Sequence, residues 1–316
     1  MMYKSTRGYP EKYSFSDAVL TGIAPDGGLF VPVEFAEFNS QDMDRLSKMN
    51  YCQLASEIFS QFADDFTKEE LETCVKNAYA DGSFPEEPTP LSVLSNTLSI
   101  LELWHGPTSA FKDMALQILP EFMSVAIKKS KKHNKIAILT ATSGDTGKAA
   151  LAGFKDAENV KIMVFYPAEG VSEMQKTQMI TQEGENLSVI AVRGNFDDAQ
   201  TGVKNIFGDK EFAEILKKRG YTLSSANSIN IGRLLPQVVY YYYAYFALVR
   251  NGNLKLGDKI NFAVPTGNFG NILACYYAAK TGLPVNKIVC ATNDNNVVSD
   301  FLNTGIYNSK RPFILT

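Results

Sequence analysis

The sequence predicts an α/β fold of parallel sheets with helices on both faces, joined to a mainly helical N-terminal domain. Three observations carry this. From about residue 95 onward, short runs rich in β-branched residues alternate with helical stretches, the sequence form of strand–helix–strand units. Before residue 90 such runs are scarce and the apolar spacing is helical. Between the two lies DGSFPEEPTPL (81–91), whose three prolines and one glycine read as an extended connection.

In the N-terminal part, 51–62 carries apolar residues at 54, 55, 58, 59 and 62, one face of a helix. A second helix is expected over 68–80, with Thr67 as its N-cap. Beyond the connection, strands are expected at 98–103 (LSILEL), 136–140, 160–166, 187–193, 221–225, 259–265 and 286–292. Helices 172–182, 197–207 and 234–249 lie between some of these, and YYYYAY (240–245) reads as part of a packed helix. The expected organisation is a helical domain over 1–90, a large α/β domain from 91–130 and 220–316, and a small α/β domain over 131–219.

Composition narrows the function. The chain has 316 residues, 45% apolar and 21% charged, enough to bury a sizeable core. A net charge of −3 argues against a dedicated nucleic-acid binder. The longest apolar stretch, Val238–Val249, has twelve residues and is too short to span a bilayer. No apolar leader is expected in MMYKSTRGYPEK. The four cysteines show no metal spacing and read as reduced, which suits the cytoplasm. With only two histidines, a His-rich metal site is excluded, and a Ser-His-Asp triad could use only His105; His133, in KKSKKHNK, reads as a solvated helix end.

Ligands of parallel α/β sheets gather at the carboxyl ends of strands, so the turns after the strands are the informative places. After 98–103 comes WHGPTSAFKDMALQ, with Lys112 opening a helix between Phe111 and Met114. A helix start and partial burial both lower a lysine's pKa, as a Schiff-base lysine requires. After 136–140 comes ATSGDTGKAAL, a turn able to present N–H groups to an anion. It is not a nucleotide-binding P-loop, because only two residues separate its glycines and Ala149 follows the lysine. After 221–225 comes ANSINIGRLLPQ, in which Asn227 and Ser228 can cap a helix and Arg233 can meet a second anion. After 259–265 comes PTGNFGNILA, whose two glycines form a cup for one phosphate. Each turn alone also reads as an ordinary cap or tight turn. Together they offer one amine, two or three anion cradles, no metal ligands and no nucleotide loop. Pyridoxal 5′-phosphate, an aldehyde carrying one phosphate, suits that set.

HGPTSAFKDMA, TSGDTGKAAL, NSINIGR and PTGNFGN, in this order, resemble the threonine synthase family. The opening YKSTRG…SFSDAVLTGIAPDGGLFVP is similar to that family as well, so the resemblance runs through the whole chain. It implies the tryptophan-synthase-β-like fold, fold type II of the pyridoxal-phosphate enzymes. It implies that Lys112 bonds the cofactor, that Gly267, Asn268, Phe269, Gly270 and Asn271 hold its phosphate, and that Asp145 stands near its 3′-oxygen. Ser143 and Thr146 would contact the substrate, Ser143 at its carboxylate, while Asn227, Ser228 and Arg233 would bind its phosphate. The implied reaction converts O-phospho-L-homoserine and water to L-threonine and phosphate. Members of the family run longer than this chain, and their further segment supplies a Ser or Thr to the pyridine nitrogen; a truncated piece is therefore expected. Two alternatives remain: a phospho-lyase releasing a 2-keto acid and ammonia, and a catalytically silent ligand-binding fragment.

Overall fold

A computed structural model describes residues 1–80, 82–130 and 135–308. His133 and the terminal KRPFILT lie outside the described residues.

The N-terminal region contains β1 (Tyr3–Ser5), α1 (Phe15–Thr21), β2 (Phe30–Pro32), α2 (Ser40–Ser47), α3 (Tyr51–Phe62) and α4 (Lys68–Tyr79). Helix α3 has the bounds the apolar spacing predicts, and Thr67 caps α4 in a reciprocal capping box with Glu70. Helices α1 and α2 are additional to the sequence expectation. Strands β1 and β2 form a short antiparallel pair.

Next come β3 (Leu91–Ser95), β4 (Leu98–Leu101), α5 (Asp113–Leu116) and α6 (Leu119–Lys129). Here one expectation is corrected. The 98–103 run is not a strand of a parallel sheet: β4 pairs antiparallel with β3 in a hairpin. Its alternation of apolar and polar residues suits either partner, and the tight connection 96–97 decides for the local one.

The middle of the chain holds β5 (Lys135–Ala141), α7 (Asp145–Gly153), β6 (Val160–Pro167), α8 (Glu173–Ile180), β7 (Leu187–Val192), α9 (Phe196–Gly208), α10 (Lys210–Lys218) and β8 (Tyr221–Ser224). These strands form one parallel sheet in the order β7-β6-β5-β8. Strand β8, which the three-part division sets with the large domain, pairs with β5 in this sheet. Both faces of β5 are covered. Ile136 and Ile138 join the main core with Ala149 and Leu151 of α7, while Leu139 and Ala141 pack against Ala199 and Val203 of α9.

The remainder is α11 (Ile231–Leu234), α12 (Pro236–Arg250), β9 (Ile260–Pro265), α13 (Gly270–Lys280), β10 (Val285–Ala291) and α14 (Val297–Thr304). Strands β9 and β10 are parallel. The expected helix over 234–249 is divided between α11 and α12, because Pro236 belongs at a helix start. Helix α12 threads the core, and its tyrosines are buried with their hydroxyls satisfied. Tyr242 meets Thr281 at 2.9 Å, Tyr243 donates to Glu87 at 3.1 Å, and the Tyr245 oxygen accepts from Gly257 N at 2.7 Å. Among the described residues no helix is long and apolar enough to cross a membrane.

Candidate active site

Lys112 sits at the N-cap of α5, and its side chain is 22% exposed. Its Nζ lies 5.1 Å from the Phe111 ring centroid and 3.9 Å from Asp145 Oδ2. Burial lowers its pKa from the ordinary lysine value; Asp145 opposes the shift, and Arg233 and Lys148 add to it. The helix it opens is a single turn of four residues, so burial rather than a helix dipole is the main cause, a correction to the sequence argument.

The loop before Lys112 is held from inside. Asp113 is buried and accepts from Thr108 N at 2.8 Å and Thr108 Oγ1 at 2.7 Å. Gly106 is needed there because a Cβ would collide with the Asp113 side chain. His105 is taken up by Glu102, 2.7 Å from its Nε2.

The turn after β5 is equally ordered. Thr142 Oγ1 accepts from Gly144 N at 3.0 Å and Gly147 N at 2.9 Å. Gly144 has φ +150, a conformation open to glycine. Asp145 Oδ1 accepts from Gln175 Nε2 at 2.7 Å and lies 3.7 Å from Lys148 Nζ. Ser143 is exposed at the strand end, and Thr146 is half-buried one residue beyond Asp145. Gln175 is a site residue that sequence reasoning missed; nothing in its local sequence marks it.

The turn after β8 joins this one directly: Asn227 Nδ2 donates to Ala141 O at 3.1 Å. Asn227 and Ser228 do not cap the next helix. Asn230 does, its side-chain oxygen accepting from Gly232 N at 2.9 Å while its Nδ2 donates to Val19 O in α1. Arg233 is 3% exposed; its Nη1 donates to Ala226 O, and its Nε has no hydrogen-bond partner among the described residues. Burial brings its pKa down to about 10.

The turn after β9 is open. Gly267 has φ +46 and Phe269 φ +65, and a Cβ on Gly267 would meet nothing within 4 Å. A Cβ on Gly270 would lie 3.8 Å from Ser228 Cβ, so this turn adjoins the Asn227–Ser228 segment. The Asn271 side chain is occupied: its Oδ1 accepts from Tyr241 at 2.6 Å and from Tyr240. That leaves its backbone N–H for a ligand. Asn227, Ser228 and Asn268 also line a cavity of about 1240 Å³ that reaches Arg7 and Pro25 of the N-terminal region. Lys112, Asp145 and Arg233 are not part of its wall.

Comparisons with known proteins give the family of the chain. Residues 83–313 match the family described as pyridoxal-phosphate dependent enzyme, and residues 2–79 match the threonine synthase N terminus. Threonine synthase of Schizosaccharomyces pombe is 40% identical over 313 residues, which cover 96% of this chain and 59% of that protein. The structure of PLP-bound threonine synthase from Brucella melitensis superposes with a TM-score of 0.88 at 38% identity, covering 98% of this chain and 64% of that one. Threonine synthase from Escherichia coli gives a TM-score of 0.85 at 34% identity, covering 98% and 68%. The chain thus spans about three fifths of the length of the fission-yeast relative. On these matches the chain belongs to the threonine synthase family of pyridoxal-phosphate-dependent enzymes.

Proposed function

We propose that this chain binds pyridoxal 5′-phosphate on Lys112 and acts as a threonine synthase, turning O-phospho-L-homoserine and water into L-threonine and phosphate. The observation that carries the reading is the Lys112 amine, partly buried, lowered in pKa and 3.9 Å from Asp145. The residues suit the cofactor. The 267–271 turn has open space at Gly267 and the first N–H groups of α13 for a phosphate. For the substrate's phosphate, Arg233 supplies a buried donor, Nε, that has no partner among the described residues.

When bound, the cofactor provides an electron sink for negative charge at the substrate carbons. The other tasks fall to the chain. Lys112 in its neutral form takes the Cα proton and moves protons between neighbouring carbons while phosphate leaves and water adds at Cβ. Asn227, Ser228 and Arg233 bind the substrate phosphate and stabilise it on departure. Ser143 would hold the carboxylate with Thr146 beside it, and Asp145 would face the cofactor's 3′-oxygen. Gly267, Asn268, Phe269, Gly270 and Asn271 would hold the cofactor phosphate, Asn271 through its backbone. The four unpaired cysteines support a reducing compartment, and we read the chain as cytoplasmic.

The test is borohydride reduction of the protein with added pyridoxal phosphate, followed by peptide mapping and product analysis. The label is expected on Lys112, and Lys112→Ala is expected to fold but form no threonine. A label elsewhere, or near-normal threonine formation by that variant, overturns the assignment. A 2-keto acid and ammonia in place of threonine would keep the cofactor site and make the chain a phospho-lyase. Ligand-dependent stabilisation without either product would make it a binding protein.

A further inference from the structure

Among the described residues, one buried cation is left unused by the proposed reaction. Lys148 lies on α7, three residues after Asp145, and its side chain is 10% exposed. A lysine is rarely so enclosed unless it is paired. Its Nζ donates to the Thr108 carbonyl at 2.8 Å and stands 3.7 Å from Asp145 Oδ1.

Both contacts lead to Lys112. Thr108 is four residues before it, and the same threonine is held through its N–H and hydroxyl by Asp113, the residue after it. The loop carrying the amine is therefore gripped at Thr108 from two sides, by Asp113 of its own helix and by Lys148 of α7. The two helices are pressed together: a Cβ on Gly153 of α7 would collide with the Leu116 carbonyl of α5. The second contact is shared. Asp145 offers Oδ1 toward Lys148 and Oδ2 toward Lys112, while Gln175 Nε2 fixes Oδ1 at 2.7 Å.

We propose that Lys148 is a positioning residue for the reactive amine. It anchors the Lys112 loop through the Thr108 carbonyl and, by sharing Asp145, stops the Lys112 ammonium from settling into an exclusive ion pair. Among the described residues, the charged groups around Lys112 are Asp145 and Lys148 from α7, Arg233 from α11 and the adjacent Asp113. Of these, Lys148 alone both touches the Lys112 loop and competes for the carboxylate. Two like charges lower each other's affinity for a proton, and losing one of them frees Asp145 for the other. Both effects of removing Lys148 act in the same direction, toward a more basic Lys112.

The inference rests on the proposed role of Lys112, but its test does not need the cofactor. Lys112 in the 316-residue chain is labelled with acetic anhydride across pH, and the modified peptide is quantified by mass spectrometry. Its rate follows the neutral amine. Lys148→Met is expected to move the midpoint of Lys112 labelling to higher pH. Labelling near neutral pH then slows by about tenfold if the midpoint rises by about one pH unit. Lys148→Arg, which keeps the charge, is expected to stay near the parent midpoint. An unchanged midpoint in folded Lys148→Met overturns the proposal. If Lys148→Met does not fold, a folded Lys148→Arg with its midpoint raised overturns it, and one with its midpoint retained supports it. Failure of borohydride to mark Lys112 would remove the cofactor assignment while leaving this midpoint comparison intact.

Discussion

The turns after β5 and β9 are both glycine-rich and both lead into helices, yet they differ in what fills them. After β5 the space is occupied. Thr142 binds two backbone N–H groups, Gln175 binds Asp145, and added atoms at Gly144 or Gly147 would run into neighbours. After β9 the space is empty: Gly267 faces nothing within 4 Å and Gly270 has only ordinary contacts at 3.8 Å. The same residue type therefore serves two purposes. In the first turn glycine permits close packing that fixes charges in place. In the second it leaves a concave surface of backbone donors for an anion. One turn positions and the other receives.

Substitutions by alanine separate the two. The largest effect is expected for Gly144→Ala. Its φ of +150 is closed to an L side chain, and the new methyl would strike the Gln175 amide. Backbone strain of this kind costs about 1–3 kcal/mol, and displacing Gln175 releases Asp145 as well. Urea unfolding is expected to show a loss at or above the top of that range, about 3 kcal/mol, together with slower capture of pyridoxal phosphate. Gly267→Ala is expected to cost less, about 1 kcal/mol, because its φ of +46 is strained but nothing stands in the way. Equal losses for the two variants would break the comparison, since packing would then explain neither turn.

What was legible in the sequence follows the range of the forces. Helix α3 could be read with its bounds, and α4 to within one residue, because the 3.6-residue spacing and the cap at Thr67 are local. Helix α1 escapes such a reading because seven residues show little periodicity and its order comes from Phe15 packing on Phe122, over a hundred residues away. Strand β4 has the right residues, but its partner is not encoded in its own alternation. Within the site, the motifs put Lys112, Asp145 and Asn227 in segments that follow strands, and the fold brings Lys112 to 3.9 Å from Asp145 and Asn227 against the end of β5. Their supports are not legible in the same way. Gln175 lies in an unremarkable helix, and Asn230 replaces Asn227 as cap because it also reaches Val19 of α1. Lys148 stands in a motif whose spacing says only that it is not a P-loop; its role depends on Thr108, forty residues upstream.

The smallest effect is the most discriminating. Gly270 begins α13 without a positive φ, and a Cβ there would sit 3.8 Å from Gln237 Nε2 and Ser228 Cβ, within normal contact distance. Alanine loses less backbone freedom on folding than glycine, so Gly270→Ala is expected to stabilise the ligand-free chain by about 0.5 kcal/mol. The same methyl would intrude on the surface assigned to the cofactor phosphate. A gain in thermal stability with weaker pyridoxal phosphate binding is therefore expected, measured by calorimetry and by titration of the bound chromophore. Destabilisation of the ligand-free chain would mean that the second turn is packed like the first. A stability gain with binding unchanged would move the phosphate cradle away from this turn, leaving Arg233 and the β5 turn to hold the anion.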